Sequence, residues 1–129
     1  MKILFVGPGL LPIPPKGWGG IEHLVWDMKL ALTKLKHDVK IVNTTNPKEI
    51  IYEINNYRPD FVHVQYDDWV LLCPYIQYPC AISTHFAYIE QVEKMSDYKQ
   101  RVFDHYPKVK PNIFALSDGI IKTYRGVGI

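Results

Sequence analysis

Two glycines and an acid stand where the first helix of this sequence is expected to begin. Gly19 and Gly20 follow a proline-rich stretch, and Glu22 falls in the first helical turn. A helix N-terminus offers free backbone N–H groups and a partial positive charge, and glycine lets a phosphate or a sugar approach the backbone closely. Glu22 could accept hydrogen bonds from hydroxyl groups. The alternatives are a sharp turn that binds nothing and an ordinary first-turn acid.

Trp18 and His85 are two further residues whose side chains suit such a site. Trp18 adjoins the glycines and could stack on a sugar ring or anchor the loop against the first helix. His85 follows a short apolar run, so it falls at the carboxyl end of an expected strand. An imidazole there can donate or accept a hydrogen bond at neutral pH. A capping or buried structural histidine is the alternative.

The remaining titratable residues predict no metal site. Asp67 and Asp68 adjoin without forming an Asp-x-Asp motif, and we interpret them as loop or helix-cap residues. His63 lies inside a strand run and is expected to pack there with a local hydrogen bond. Cys73 and Cys80 have neither zinc spacing nor a second pair, so we expect reduced thiols that serve packing.

Strands and helices alternate along the chain. Short runs of apolar and β-branched residues without strict polar alternation predict strands buried on both faces. These runs are 2–6, 39–43, 60–65, 80–84 and 112–117. We therefore predict one α/β domain over residues 1–129, a doubly wound, Rossmann-like parallel sheet of about five strands with helices on both faces.

Apolar spacing and capping signals predict four helices. The first has a stripe of apolar residues at spacings of three and four, formed by Ile21, Leu24, Val25, Met28, Leu32 and Leu35. Asn46, Pro47 and Glu49 predict the start of the second, as cap, first-position proline and capping-box acid. Residues 68–77 and 95–106 are predicted as the third and fourth.

Composition and charge exclude several classes of function. A net charge of +2 lacks the concentrated basic patch that nucleic-acid binding requires. Lys29 and Lys36 share a helix face that is either simply solvated or makes weak peripheral contact with an anionic membrane. The first apolar run ends at Val6, too early for a signal core or a membrane span, so a cytoplasmic location is expected.

The nearest nucleotide-binding fingerprints fail. The stretch GPGLLP has Pro12 where the third glycine of GxGxxG would stand, and a P-loop motif is missing from the sequence. Nicotinamide-dependent and ATP-dependent chemistry are therefore disfavoured.

The opening stretch, MKILFVGPGLLPIPPKGWGGIEHLVWDMKLALTKLKHDVKIV, resembles the N-terminal domain of a retaining, nucleotide-sugar-dependent glycosyltransferase of the GT-B fold, family four. Three later stretches are similar to a strand motif of that family, to its strand ending in Thr-His, and to its closing segment: RPDFVHVQ, CAISTHF and IFALSDGIIKTYRGVG. The resemblance covers nearly the whole chain. Lys36-His37 departs from the Gly-His of many members, and the domain is shorter than usual.

The resemblance implies a hexosyltransferase that moves a sugar from a nucleotide-diphosphate sugar to an acceptor with retention. It places Gly19 and Gly20 near the donor diphosphate, gives His85 the catalytic position, and makes Glu22 a donor or acceptor contact. It implies no metal and no cofactor besides the sugar nucleotide as co-substrate.

A second domain of this family holds the nucleotide with a pair of glutamates at a fixed spacing, and no such pair occurs in this sequence. We therefore expect the C-terminal nucleotide-sugar domain to be absent, and the chain to be inactive without that domain or a partner subunit. The alternative is a free-standing carbohydrate-binding module, or a subunit that pairs with a separate catalytic half. A half-enzyme is expected to expose apolar surface where its partner docks, and a module to expose a polar face.

Overall fold

Five parallel strands form a single sheet in the computed structural model, which describes residues 1–85, 96–115 and 117–126. The strands are β1 (Lys2–Val6), β2 (Asp38–Val42), β3 (Phe61–Val64), β4 (Cys80–Ser83) and β5 (Ile113–Phe114). Their order across the sheet is β2-β1-β3-β4-β5, and every neighbouring pair is parallel. The predicted α/β fold with about five strands is confirmed. The last strand is shorter than the predicted run 112–117, of which residue 116 lies outside the described residues.

Helices lie between these strands and after the last of them. They are α1 (Gly20–Lys34), α2 (Pro47–Tyr57), a 3₁₀ helix (Asp67–Tyr75), α3 (Asp97–Asp104), α4 (Tyr106–Val109) and α5 (Asp118–Gly126). The third predicted helix is thus not an α-helix. Pro74 lies inside it. A proline at this place removes a backbone hydrogen bond and its ring clashes with the preceding turn of an α-helix, so the segment does not continue as an α-helix. The fourth predicted helix is divided between α3 and α4, and its first residue, 95, lies outside the described residues.

Two apolar clusters cover the two faces of the sheet. On one face, Ile21 and Val25 of α1 pack on Ile3 and Phe5 of β1. On the other, Leu4 and Val6 of β1 join residues of α2, the 3₁₀ helix, α3 and α5. Because β1 is buried on both sides, its run of apolar residues has no polar alternation.

The predicted stripe of α1 is partly wrong. Ile21 and Val25 are buried, and Met28 and Leu32 pack partly against them. Leu24 is 41% exposed and Leu35 is 69% exposed. The packed residues form a narrow line on the helix, Leu24 lies at its flank, and Leu35 follows the last helical residue.

The start of α2 follows its predicted signals with one difference. Asn46 is the N-cap, and its side chain accepts from the N–H groups of Lys48 at 3.0 Å and Glu49 at 3.4 Å. The Glu49 carboxylate accepts from Thr44 Oγ1 at 3.2 Å, and the Asn46 N–H donates to the same hydroxyl. In a capping box the acid itself accepts from the N–H of the N-cap residue. Here the Thr44 hydroxyl accepts from that N–H instead, so Glu49 is not a capping-box acid.

Among the helices described here, none combines the length and the apolar character needed to cross a membrane.

Candidate functional site

The chain leaves β1 and β3 toward opposite faces of the sheet. The segment after β1 leads to α1 on one face, and the segment after β3 leads to the 3₁₀ helix on the other. Ligands of open parallel sheets bind in the crevice that such a reversal opens at the carboxyl ends of the strands. The predicted residues Trp18, Gly19, Gly20 and Glu22 line or adjoin this crevice.

The loop between β1 and α1 is held in place by two side chains from elsewhere in the sequence. Asn43 accepts from the N–H of Gly9 at 2.8 Å and donates from Nδ2 to the carbonyl of Leu11 at 2.7 Å. Trp69 Nε1 donates to the carbonyl of Gly7 at 3.0 Å. Sequence reasoning did not assign these roles. The available signal was a polar amide, Asn43, at the end of the predicted strand 39–43.

Gly19 and Gly20 play different roles. Gly19 is the N-cap of α1 and adopts a φ of 151°, a conformation that favours glycine. Gly20 is the first helical residue, and a Cβ atom built on it would meet no atom of the described residues within 4 Å. Gly19 is therefore required by the turn itself. Gly20 leaves open space next to the helix N-terminus, where a ligand can reach the backbone.

Glu22 is buried, with 5% of its surface exposed. Its Oε1 lies 2.9 Å from the position that a Cβ on Gly19 would take, so the carboxylate folds back over the start of α1. Its side chain has no hydrogen bond or ion pair to any residue within the described ranges. The interpretation of Glu22 as an ordinary first-turn acid, which would be solvated, does not fit this burial.

A cavity of about 490 Å³ opens beside Glu22, and we refer to it as the Glu22 pocket. Its walls include Leu10, Leu11, Trp18, Ile21 and Tyr66, with Glu22 as the acid among them. Trp18 is 89% exposed, so the interpretation of Trp18 as a packed loop anchor is wrong. Its indole lines the Glu22 pocket and is exposed to solvent.

His85 is joined to a buried glutamine. Its Nε2 lies 2.7 Å from Oε1 of Gln65, which follows β3. Since the amide oxygen can only accept, the imidazole donates from Nε2, and the neutral ring keeps Nδ1 as its acceptor. Partial burial lowers the pKa of His85, which favours this neutral form. Gln65 is completely buried, and its Nε2 has no hydrogen-bond partner in the described part of the chain.

His63 is a packed residue, as predicted. Its Nε2 lies 2.6 Å from the Ser83 hydroxyl, and its ring lies 5.0 Å from that of Phe114 and 5.6 Å from that of Phe5, between centroids. Burial, with a smaller contribution from His85, lowers the pKa of His63 to about 4. The ring is therefore uncharged at neutral pH.

Asp67 belongs to a buried polar network rather than to a loop or a cap, which corrects the sequence interpretation. It is the first residue of the 3₁₀ helix and is 2% exposed. Its carboxylate accepts from the Tyr106 hydroxyl at 2.5 Å and from Thr84 Oγ1 at 3.4 Å. Tyr124 donates in turn to Thr84 at 3.3 Å. The network fixes the backbone immediately before His85.

Groups of three or more potential metal ligands do not occur among the described residues. Cys73 and Cys80 are half-buried free thiols, and Cys80 packs against the larger core cluster.

No protein-family model, curated protein or solved structure matches this chain. The similarity to family-four glycosyltransferases therefore stays a prediction from the motifs.

Proposed function

We propose that the chain is the N-terminal, acceptor-side domain of a retaining glycosyltransferase that uses a nucleotide-diphosphate sugar in the cytoplasm. The observation that carries the proposal is the pair formed by Gln65 and His85 at the carboxyl edge of the sheet. An unpartnered buried amide N–H costs roughly 1–3 kcal/mol, and such costs are typical of functional sites. Here Gln65 holds the tautomer and orientation of His85.

His85 and Gly20 are assigned to the donor. His85 Nδ1 accepts a hydrogen bond from a hydroxyl of the donor sugar, and the N–H groups at the start of α1 stabilise the leaving diphosphate. Gly20 allows the close approach that this requires, because no described residue occupies the space next to it. Gly20 also lines the Glu22 pocket described above, so this assignment puts the diphosphate next to the acceptor at the start of α1.

Glu22 and Trp18 are assigned to the acceptor, which enters through the Glu22 pocket. In the reaction, the bond between the anomeric carbon and the diphosphate oxygen breaks, and a bond to an acceptor oxygen forms on the same face of the sugar. The proton of the acceptor hydroxyl passes to the departing diphosphate.

A second domain or subunit completes the site by holding the nucleotide. Leu10 is 65% exposed and Trp18 is 89% exposed, and both line the Glu22 pocket. Exposed apolar surface at this edge favours a half-enzyme over a free-standing module, which is expected to present a polar face there. We therefore expect the chain to transfer no sugar without its partner.

The test is sugar transfer by the natural full-length gene product, whose intact mass shows whether a second domain is present. Consumption of a panel of nucleotide sugars would be followed by mass spectrometry, with extracts fractionated for the acceptor. His85→Ala is expected to lower transfer by roughly 100-fold with an unchanged melting temperature. His37→Ala is the matched control, because His37 precedes β2 at the opposite, amino edge of the sheet and its ring bonds only the amino group of Met1 in the described structure.

Three results would overturn the proposal: no donor consumed by the natural product, equal transfer by the His85 variant, or robust transfer by the 129 residues alone. Binding of a free oligosaccharide without any nucleotide dependence would instead favour the carbohydrate-binding module.

A further inference from the structure

The Glu22 pocket combines apolar walls with one buried acid. Leu10, Leu11 and Ile21 line it together with the rings of Trp18 and Tyr66. A neutral sugar acceptor would fit these walls poorly, because most of its surface carries hydroxyl groups that need partners. The walls therefore select a ligand with an apolar body.

The charge of the pocket selects the polar group of that ligand. Glu22 is 5% exposed, and the described residues that line the pocket include no lysine, arginine or histidine. A buried carboxylate without a cation is costly. The positive end of the α1 dipole offsets only part of this cost. A ligand that brings its own positive charge gains more here than a hydroxyl does, since hydrogen bonds between charged partners are stronger than neutral ones.

The aromatic residues favour the same charge. A cation over the face of Trp or Tyr is attracted by the ring, most strongly by Trp. Trp18 and Tyr66 line the same cavity as the Glu22 carboxylate. An ammonium group in the pocket would therefore meet both the acid and an aromatic ring.

We propose that the Glu22 pocket binds the protonated amine of a ligand with an apolar body. The assignment of this ligand as the acceptor rests on the proposed function, whereas the preference for an amine follows from the pocket itself. The acceptor class is thus an amphipathic amine that also carries a hydroxyl, and not a free neutral sugar.

The test compares three fragments that share one ring: benzylamine, benzyl alcohol and benzoate. Their binding to the whole chain at pH 7 would be followed by NMR shifts of the backbone amides around Gly20 and Glu22. Benzylamine is expected to bind roughly tenfold more tightly than benzyl alcohol, because its ammonium group makes a charge-assisted hydrogen bond and a cation–π contact. Benzoate is expected not to bind. Glu22→Gln keeps the shape of the side chain and should abolish the preference for the amine. Asp27→Asn is the control, because Asp27 is an exposed acid on the same helix.

Equal binding of the amine and the alcohol would overturn the inference, as would an amine preference that survives in the Glu22 variant. The inference would also be overturned if benzylamine binding did not saturate by about 10 mM, which corresponds to a binding free energy weaker than roughly 3 kcal/mol. These outcomes leave the donor assignment untouched, because that is measured by nucleotide-sugar consumption. Conversely, an intact amine preference in a protein that consumes no nucleotide sugar would contradict the proposed function alone.

Discussion

The carboxylate Oε1 of Glu22 lies 2.9 Å from the point where a Cβ atom on Gly19 would stand. The position of the Glu22 carboxylate therefore depends on the residue at position 19. A side chain there would displace the carboxylate, which can fold over the start of the helix because the N-cap is glycine. Gly20, one residue later, has no such neighbour among the described residues. The tandem glycines thus divide into one that shapes the site and one that leaves room in it.

Gly19→Ala is expected to destabilise the protein, and Gly20→Ala is not. Alanine at position 19 would have to adopt a φ of 151° and displace the Glu22 carboxylate, at a cost on the order of 1–3 kcal/mol. Alanine at position 20 begins a helix in open space, so the free energy of unfolding should stay equal or rise by up to about 1 kcal/mol. Urea unfolding of the two variants measures the change in the free energy of unfolding that each substitution causes.

The same pair tests the donor assignment. If a diphosphate or a sugar approaches the backbone at Gly20, the stable Gly20→Ala variant should lose donor binding or transfer. A Gly20 variant with full activity would exclude that approach. Equal stability of both variants would contradict the different roles inferred from the backbone.

Asn43→Ala is expected to release the loop between β1 and α1. It removes the bonds to Gly9 and Leu11 at once, and the carbonyl and N–H left behind are partly buried, so about 1–3 kcal/mol of stability should be lost. Hydrogen exchange should increase at residues 9–11 while the core of β1 stays protected. Asn43→Asp is the informative partner variant, because it keeps the acceptor for Gly9 and loses the donor to Leu11. Unchanged exchange in both variants would show that the loop is held by other contacts.

The parts of the site that the sequence could predict depend on neighbours along the chain. The start of α1 next to Gly19 and the strand end before His85 follow from local apolar runs and glycine or proline signals. The hydrogen bond from Asn43 to the Leu11 carbonyl joins residues 32 positions apart, and the bond between His85 and Gln65 joins residues 20 positions apart. Such pairs become visible only once the order of the strands places their ends side by side.

Local patterns failed where tertiary packing decides the outcome. Leu24 matched the helical spacing of the apolar stripe and is exposed, because α1 contacts the sheet along a narrow line. The sequence around Asp67 indicates a loop or helix-cap residue, yet Asp67 is buried, because Tyr106 and Thr84 reach it from distant elements. Neither partner is close to Asp67 in sequence.

His63 should make the protein less stable in mild acid. Its pKa is about 4 in the folded protein, against an ordinary value of 6.5 for an exposed histidine, so between these values the unfolded chain binds a proton that the folded chain does not. The free energy of unfolding therefore falls as the pH falls from 6.5 to 4, by about 3 kcal/mol from this residue. His63→Gln retains a group able to bond Ser83 and does not titrate, so it should remove most of this loss.

Urea unfolding at pH 7, 6, 5 and 4 would compare the wild type, the His63 variant and His23→Gln. His23 is exposed and bonds the backbone carbonyl of Gly17, just before α1, so it serves as the control. If the free energy of unfolding varied with pH in parallel for the wild type and the His63 variant, protonation of His63 would not destabilise the folded protein, and the prediction would be wrong.

Gln65→Leu is expected to separate stability from function. Leucine is close in size to glutamine and has no unpartnered amide, so the roughly 1–3 kcal/mol cost of the buried Nε2 disappears, while the single bond to His85 is lost. The free energy of unfolding should stay equal or rise by about 1 kcal/mol. Transfer by the full-length protein should nevertheless fall, because the His85 ring is then free to rotate and to exchange its tautomers. The measurements are urea unfolding and the pH profile of transfer, and His85→Ala in the Gln65→Leu background should lower activity little further. A large loss of stability with unchanged transfer would make Gln65 a packing residue and remove the pair from the site.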